Sequence, residues 1–273
     1  TQLYLFSLVR TPDNHYHVHS PKYLSGFNPG GYTNQPFFTP GGEILVSVRK
    51  SGETQNDIWL LSPAAKKYRR LTNTKANEYS PQLEPNALNY SVVRQVEGEP
   101  IDQQVFEFPI RGGRYESLTD HIKDIGYYTW MKPEQLGLYR IEGESNRLVN
   151  YKLKDQKSLP ITTAVGRTLK SDGLGSIYYI HKFSDTYWYI KKYNENSTVI
   201  DVVAETPSKS EDFVIAPDGT FFMGKDQKLM YLLPTDKTKW EVCGDLSIYG
   251  INHITRMAIS MDGKQLAIVA TKE

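Results

Sequence analysis

Cysteine is almost missing from this chain of 273 residues. Cys243 stands alone, which excludes an internal disulfide and any cysteine-based metal cluster. No apolar run reaches the roughly 18 residues that a bilayer-crossing helix needs, so no membrane span is predicted. Neither sign of charge is in excess, with 32 basic residues against 31 acidic ones. Such a balance leaves no electrostatic footprint for nucleic acid or an anionic membrane. Long stretches of helical periodicity are missing. So are a Gly-x-Ser-x-Gly elbow, a His-Glu-x-x-His helix and a glycine-rich phosphate loop. Tyrosine, by contrast, is abundant at 19 residues, and it suits both strands and exposed binding rims.

The stretch Phe213-Val-Ile-Ala-Pro-Asp-Gly-Thr-Phe-Phe-Met223 reads as a hairpin. Proline presets φ at the first corner position, aspartate bonds its own backbone, and glycine accepts a positive φ. The pattern returns along the chain. Met257–Val269 turns at Met261, and Pro36–Ser47 turns at Pro40. Fainter copies turn at Pro85, Pro133 and Ser171. Repeats of roughly 40–50 residues built from short strands are the mark of a propeller array. Two more strands follow most hairpins, as in Asp57–Ser62 and Lys67–Thr72. The last repeat stops after its hairpin, and Gln2–Val9 with His15–His19 form a strand pair without a hairpin of their own. The two ends of the chain are therefore expected to share one sheet, which removes two exposed edges. The expected fold is all-β: a six-bladed β-propeller of four-stranded antiparallel blades, one domain over residues 1–273.

Pro217-Asp218-Gly219, the Trp59 strand followed by Arg70-Leu71-Thr72, and Ser117-Leu118-Thr119 resemble the repeats of TolB-like six-bladed propellers, a WD-repeat-like family with Pro-Asp-Gly turns. The resemblance covers essentially the whole chain. The first, fifth and sixth repeats match the turn well, whereas the third and fourth depart from it. It implies fold more than function, since such propellers bind proteins, peptides or sugars, or accompany enzymes.

The same resemblance implies that the leading end of each blade's first strand reaches one common face. Aligned on the turn, the repeats place Asn34, Gln35, Glu78, Tyr79, Tyr127, Tyr128, Arg167, Glu211, Asp212, His253 and Arg256 there. Carboxylates, guanidinium groups and phenol rings together suit a peptide or a polar small molecule; the alternative is a water-filled channel that they merely solvate. Glu211 and Asp212, read as neighbours on a strand, face opposite sides and so make no catalytic pair by themselves. Residues 20–32 form the longest connection without strand character, offering Tyr23, Phe27 and Tyr32 as a contact patch or serving as a cover. His15, His17 and His19 alternate along one strand. Alternate rings on one side are able to share a metal, but an outer, solvent-facing strand with no acidic neighbour argues against it, and no metal site is assigned.

These readings lead to a non-catalytic binding propeller with no cofactor and no catalytic residue assigned. Its ligand-binding candidates are Tyr79, Tyr127, Tyr128, Arg167, Glu211, Asp212, His253 and Arg256. The expected partner is a protein, peptide or glycan, not nucleic acid, met by a monomer. The alternative is a propeller enzyme that acts on a carbohydrate through carboxylates at the channel mouth. The chain starts at Thr1 without methionine, as a periplasmic or otherwise extracytoplasmic protein does once its signal peptide is removed; a trimmed chain looks the same.

Overall fold

The computed structural model describes residues 1–96, 102–143 and 145–271. Strands dominate it. β1 (Gln2–Arg10) and β2 (Tyr16–Tyr23) come first. Blade one is β3 (Tyr32–Phe38), β4 (Ile44–Arg49), β5 (Asp57–Ser62) and β6 (Lys67–Arg70). Blade two is β7 (Glu78–Leu83), β8 (Asn89–Val96), β9 (Asp102–Pro109) and β10 (Glu116–Ser117). Blade three is β11 (Ile125–Lys132), β12 (Gln135–Arg140), β13 (Arg147–Lys152) and β14 (Lys157–Thr163). Blade four is β15 (Val165–Ser171), β16 (Ser176–Lys182), β17 (Trp188–Asn194) and β18 (Ile200–Glu205). Blade five is β19 (Phe213–Ile215), β20 (Phe221–Lys225), β21 (Lys228–Leu232) and β22 (Glu241–Asp245). β23 (His253–Ile259) and β24 (Gln265–Thr271) complete the set.

Five blades pair their strands in chain order, and the sixth runs β2-β1-β24-β23. All pairings are antiparallel, from Gln2 opposite Ala270 to Ser7 opposite Gln265 in the sheet that joins the two ends. This is the six-bladed, all-β class that the repeat predicts. The chain divides into two compact units, Thr1–Thr74 with Asp212–Glu273, and Lys75–Glu211. The first holds blades one, five and six; the second holds blades two, three and four.

Turn chemistry explains the hairpins. In blade five the Gly219 N–H donates to the Ala216 carbonyl at 2.9 Å and Thr220 N–H to Asp218 Oδ1 at 3.0 Å, with Gly219 at φ 86°. Blades one and six repeat this through Gly42 and Gly263. Blade two replaces the glycine by Ala87 at φ 55°. Blade three uses a shorter turn, Pro133-Glu134 between the paired residues Lys132 and Gln135, with Glu134 at φ 61°.

The Leu-Thr pair after the fourth strand also has a physical role. Leu71 and Leu118 donate their N–H groups to the carbonyls of Ile58 and Val105. The hydroxyls of Thr72 and Thr119 accept the N–H groups of the same two residues, each at 2.8 Å. Threonine thereby satisfies a buried amide at which the outer strand ends.

Each unit carries its own cores. In the first, Phe6, Tyr16, Phe222, Tyr231, Met257 and Ile268 belong to one cluster, and Leu5, Ile44, Leu61 and Val269 to another. In the second, Val105, Tyr128, Leu138 and Tyr151 form one, and Met131, Ile177 and Tyr179 are at the heart of the other.

Two expectations need correction. Residues 20–32 are not free of strand, since β2 runs on to Tyr23. A 3-10 turn, Ser25–Phe27, follows, and it is fastened to blade one rather than left open. The Phe27 ring stacks on Tyr68 at 4.6 Å and takes the Lys50 ammonium at 4.7 Å. His15, second, precedes β2 and does have acidic neighbours: its Nδ1 is 3.2 Å from Glu241 and 2.9 Å from the Tyr231 hydroxyl. No group of three or more metal-binding side chains suited to an ion is found among the described residues.

Candidate functional site

The leading ends of the first strands are irregular. Pairing register shifts between Asn34 and Phe37 in β3, Tyr79 and Gln82 in β7, Ile125 and Tyr127 in β11, Val165 and Leu169 in β15, and Ile254 and Arg256 in β23. Gln35 and Ser80 hold positive φ values of 56° and 51° inside such shifts. A bulge bends a strand, re-aims its side chains and takes a backbone N–H out of the ladder. That N–H then needs another acceptor.

In the second unit Glu211 is such an acceptor. Its Oε2 takes the Arg167 N–H at 2.7 Å, and its Oε1 pairs with the Lys182 ammonium. Burial alone would raise the Glu211 pKa, but these donors together with the Arg167 charge hold it below the ordinary glutamate value. Gly166 permits the approach. A Cβ there would lie 2.9 Å from Ile180 Cβ and 3.3 Å from Glu211 Oε2. The Lys182 ammonium also covers the Trp188 ring at 4.8 Å. Tyr127 sits edge-on to Tyr139 at 5.4 Å. Burial, then the Glu211 charge, push the Tyr139 phenol up to about 12, with Arg167 acting in the opposite sense. Tyr127, Arg167 and Glu211 are therefore brought together, and Tyr139, Lys182 and Trp188 join them.

Two of the sequence candidates in this unit lie elsewhere. Tyr128 is 2% exposed and belongs to the core, with its hydroxyl donating to Ser91 Oγ at 2.9 Å. As neighbours on β11, Tyr127 and Tyr128 point to opposite faces, and Tyr128 is the one that turns inward. Tyr79 is half-buried and packs on the same core.

The first unit contains a parallel arrangement. Asp212 is buried, its Oδ1 accepting the Met257 N–H at 2.8 Å and its Oδ2 lying 3.3 Å from Arg256 Nη1. Met257 follows the β23 bulge. Asp212 and Arg256 thus meet, while His253 stands exposed at the start of β23 opposite Thr271. Neither Glu211 nor Asp212 lies on a strand; both precede β19.

One feature of the first unit was missed by the sequence reading. A pocket of about 420 Å³ opens beside the hairpin turns of blades five and six and the end of β1. The Pro-Asp-Gly turn was itself the signal, but it had been read only as a corner.

No family model matches the chain, and no curated protein does. Solved structures are similar to it. Putative TolB from Agrobacterium tumefaciens has a TM-score of 0.67 at 14% identity, over 98% of this chain and 97% of its own. TolB from Acinetobacter baumannii has a TM-score of 0.61 at 13% identity, over 99% of this chain. The chain spans 64% of the length of that Acinetobacter protein. An oligogalacturonate lyase from Vibrio parahaemolyticus has a TM-score of 0.51 at 14% identity, over 100% of this chain and 98% of its own. At such identities the likeness concerns the fold.

Proposed function

We propose, from the premise that this chain has the TolB-like six-bladed β-propeller fold, that it is a non-catalytic binding protein for a polypeptide partner outside the cytoplasm. The observation that carries the reading is the use made of Glu211 and Asp212. Each accepts a backbone N–H and lies against a cation. Proton transfer needs a carboxylate with a pKa near the working pH and within reach of substrate. Glu211 is instead held low and fixed to backbone. Half-buried rings and cations surround it: Tyr127, Arg167, Lys182 and Trp188 in the second unit. Tyrosine, tryptophan and arginine bury large areas and still offer hydrogen bonds, which is why they dominate protein interfaces. No helix among the described residues is long and apolar enough to cross a membrane.

The second reading, an enzyme acting on an acidic carbohydrate, is favoured by the likeness to the Vibrio lyase. One experiment separates the two. Immobilised protein is used to capture a partner from an envelope fraction, and the affinity of that identified partner is measured for Arg167→Ala and Tyr127→Ala. Each is expected to weaken binding by about 1 kcal/mol or more with the fold intact, since the Arg167 N–H that Glu211 accepts is kept in Arg167→Ala. Unchanged affinity in both variants rejects the site. Turnover of an acidic oligosaccharide by the unaltered protein rejects the non-catalytic reading.

A further inference from the structure

The pocket beside the turns of blades five and six has a composition that points to a ligand class. Its volume of about 420 Å³ falls in the range of small-molecule sites. Leu8, Val9, Ala216 and Pro217 give it apolar walls. Gly263 lies at φ 70°, and a Cβ there would come within 3.0 Å of Pro217 Cδ, so this glycine lets the two turns close side by side.

The polar groups are unevenly occupied. Asp218 Oδ2 accepts the Tyr16 hydroxyl at 2.5 Å and Arg10 Nη1 at 2.7 Å, and its Oδ1 accepts the Thr220 N–H. Asp262 Oδ1 accepts the Ser260 hydroxyl at 2.6 Å and the Lys264 N–H at 3.1 Å. Asp262 therefore works for its own turn, whereas Asp218 also ties Arg10 and Tyr16 to the blade-five turn. Arg10 carries five N–H donors and lysine three. Arg10 is bonded to Asp218 through Nη1, and no ion pair joins Lys264 to a carboxylate among the described residues. The donors at the pocket are thus those of two cations next to an apolar wall, with Lys264 near enough to Asp262 to help lower its pKa.

We infer that this pocket binds a carboxylate carried on a small apolar residue, either the C-terminal end of a peptide or a free acid of the same kind. Arg10 and Lys264 take the carboxylate, and the aliphatic wall takes the apolar body. Charge-assisted bonds of this type give the orientation, and burial of the apolar group adds affinity.

The test is a titration of the full ¹⁵N-labelled chain followed by amide shifts. Three probes are used: N-acetyl-leucine, N-acetyl-leucinamide, and an N-acetylated tripeptide ending in leucine with a free carboxylate. Both acids are expected to move the Gly219, Gly263 and Lys264 signals, and the amide to leave them in place. A tighter tripeptide assigns the pocket to chain ends, and a tighter small acid assigns it to free acids; both uphold the carboxylate chemistry. Lys264→Gln, an exposed change, should weaken both acids about tenfold, as loss of one charge-assisted bond does. Val9→Glu, at the rim, should weaken them as well. Arg167→Ala should change nothing here, which separates this site from the one proposed above. The inference is overturned if the acids leave these signals unmoved, if the amide moves them equally, or if Lys264→Gln keeps full affinity.

Discussion

The two ends of a blade's first strand can find their hydrogen-bond partners at very different distances along the chain. At the turn ends of blades one, five and six the partner is local. Gly219 bonds Ala216, Gly263 bonds Ser260 and Gly42 bonds Thr39, each three residues back. At the leading ends of blades four and six the partner is remote, whereas in blade one the Gln35 N–H goes to the adjacent Asn34 Oδ1. The Arg167 N–H goes to Glu211 and the Met257 N–H to Asp212, separations of 44 and 45 residues. A turn can thus be exchanged for another of its type at little consequence to its neighbours. A leading end cannot, because its bulge and its acceptor belong to different parts of the sequence.

The contrast is broken most severely by Asp212→Ala. It strips a buried amide and a largely buried guanidinium of their shared acceptor, and about 4 kcal/mol should be lost in urea denaturation. A loss below about 1 kcal/mol would mean that water replaces the carboxylate without cost.

The turn end is tested by Glu84, which opens the blade-two turn. It is buried, with Oε1 lacking a hydrogen-bond partner among the described residues. Burial first, and the nearby Glu107 charge second, raise its pKa to about 7. In the unfolded chain it ionises at the ordinary glutamate value, so between there and about pH 7 the folded state holds the proton longer. Stability contributed by the neutral carboxyl is full at low pH and is lost as pH rises through that window. Glu84→Gln should therefore stabilise the protein by about 3 kcal/mol at pH 8 and by much less at pH 4. Equal effects at both pH values would show that Glu84 ionises normally.

The smallest effect sharpens the leading end. Gly166→Ala forces a methyl against Ile180 and the Glu211 carboxylate, at a cost of about 2 kcal/mol in thermal or urea unfolding, as overpacking usually brings. Lys182→Ala in the same background tells which neighbour yields: if Glu211 moves, the two effects will not add.

Fold class was legible because its signals are short-range. A proline, an aspartate and a glycine in a row dictate a corner, and alternating apolar residues dictate the strands on either side. Recurrence of that unit, plus an unmatched strand pair at each end, was enough to predict six blades and the mixed last sheet. The leading ends were legible only in part. Alignment on the turn groups Tyr127, Arg167 and Glu211 with Tyr128, whereas the structure sets Tyr128 in the core. Counting from a turn cannot register a bulge, and one extra residue between Trp130 and Lys132 changes which face each ring takes. Nor does sequence show that Glu211 and Asp212 would be used by backbone amides, since their acceptor role depends on bulges 44 and 45 residues away.

The sheet that unites β1 with β24 also sets an order of events for a chain emerging from the ribosome. The second unit is continuous in sequence and has every strand of its three blades once residue 205 is out. β1 precedes every other strand of the propeller, yet its partner β24 follows them all. An apolar strand, Leu-Tyr-Leu-Phe, must wait for β24 with one edge open. Late closure of so long a loop is slow, and exposed strand edges invite wrong pairing meanwhile. Completion of the middle blades does not cover that edge, and only the arrival of β24 does.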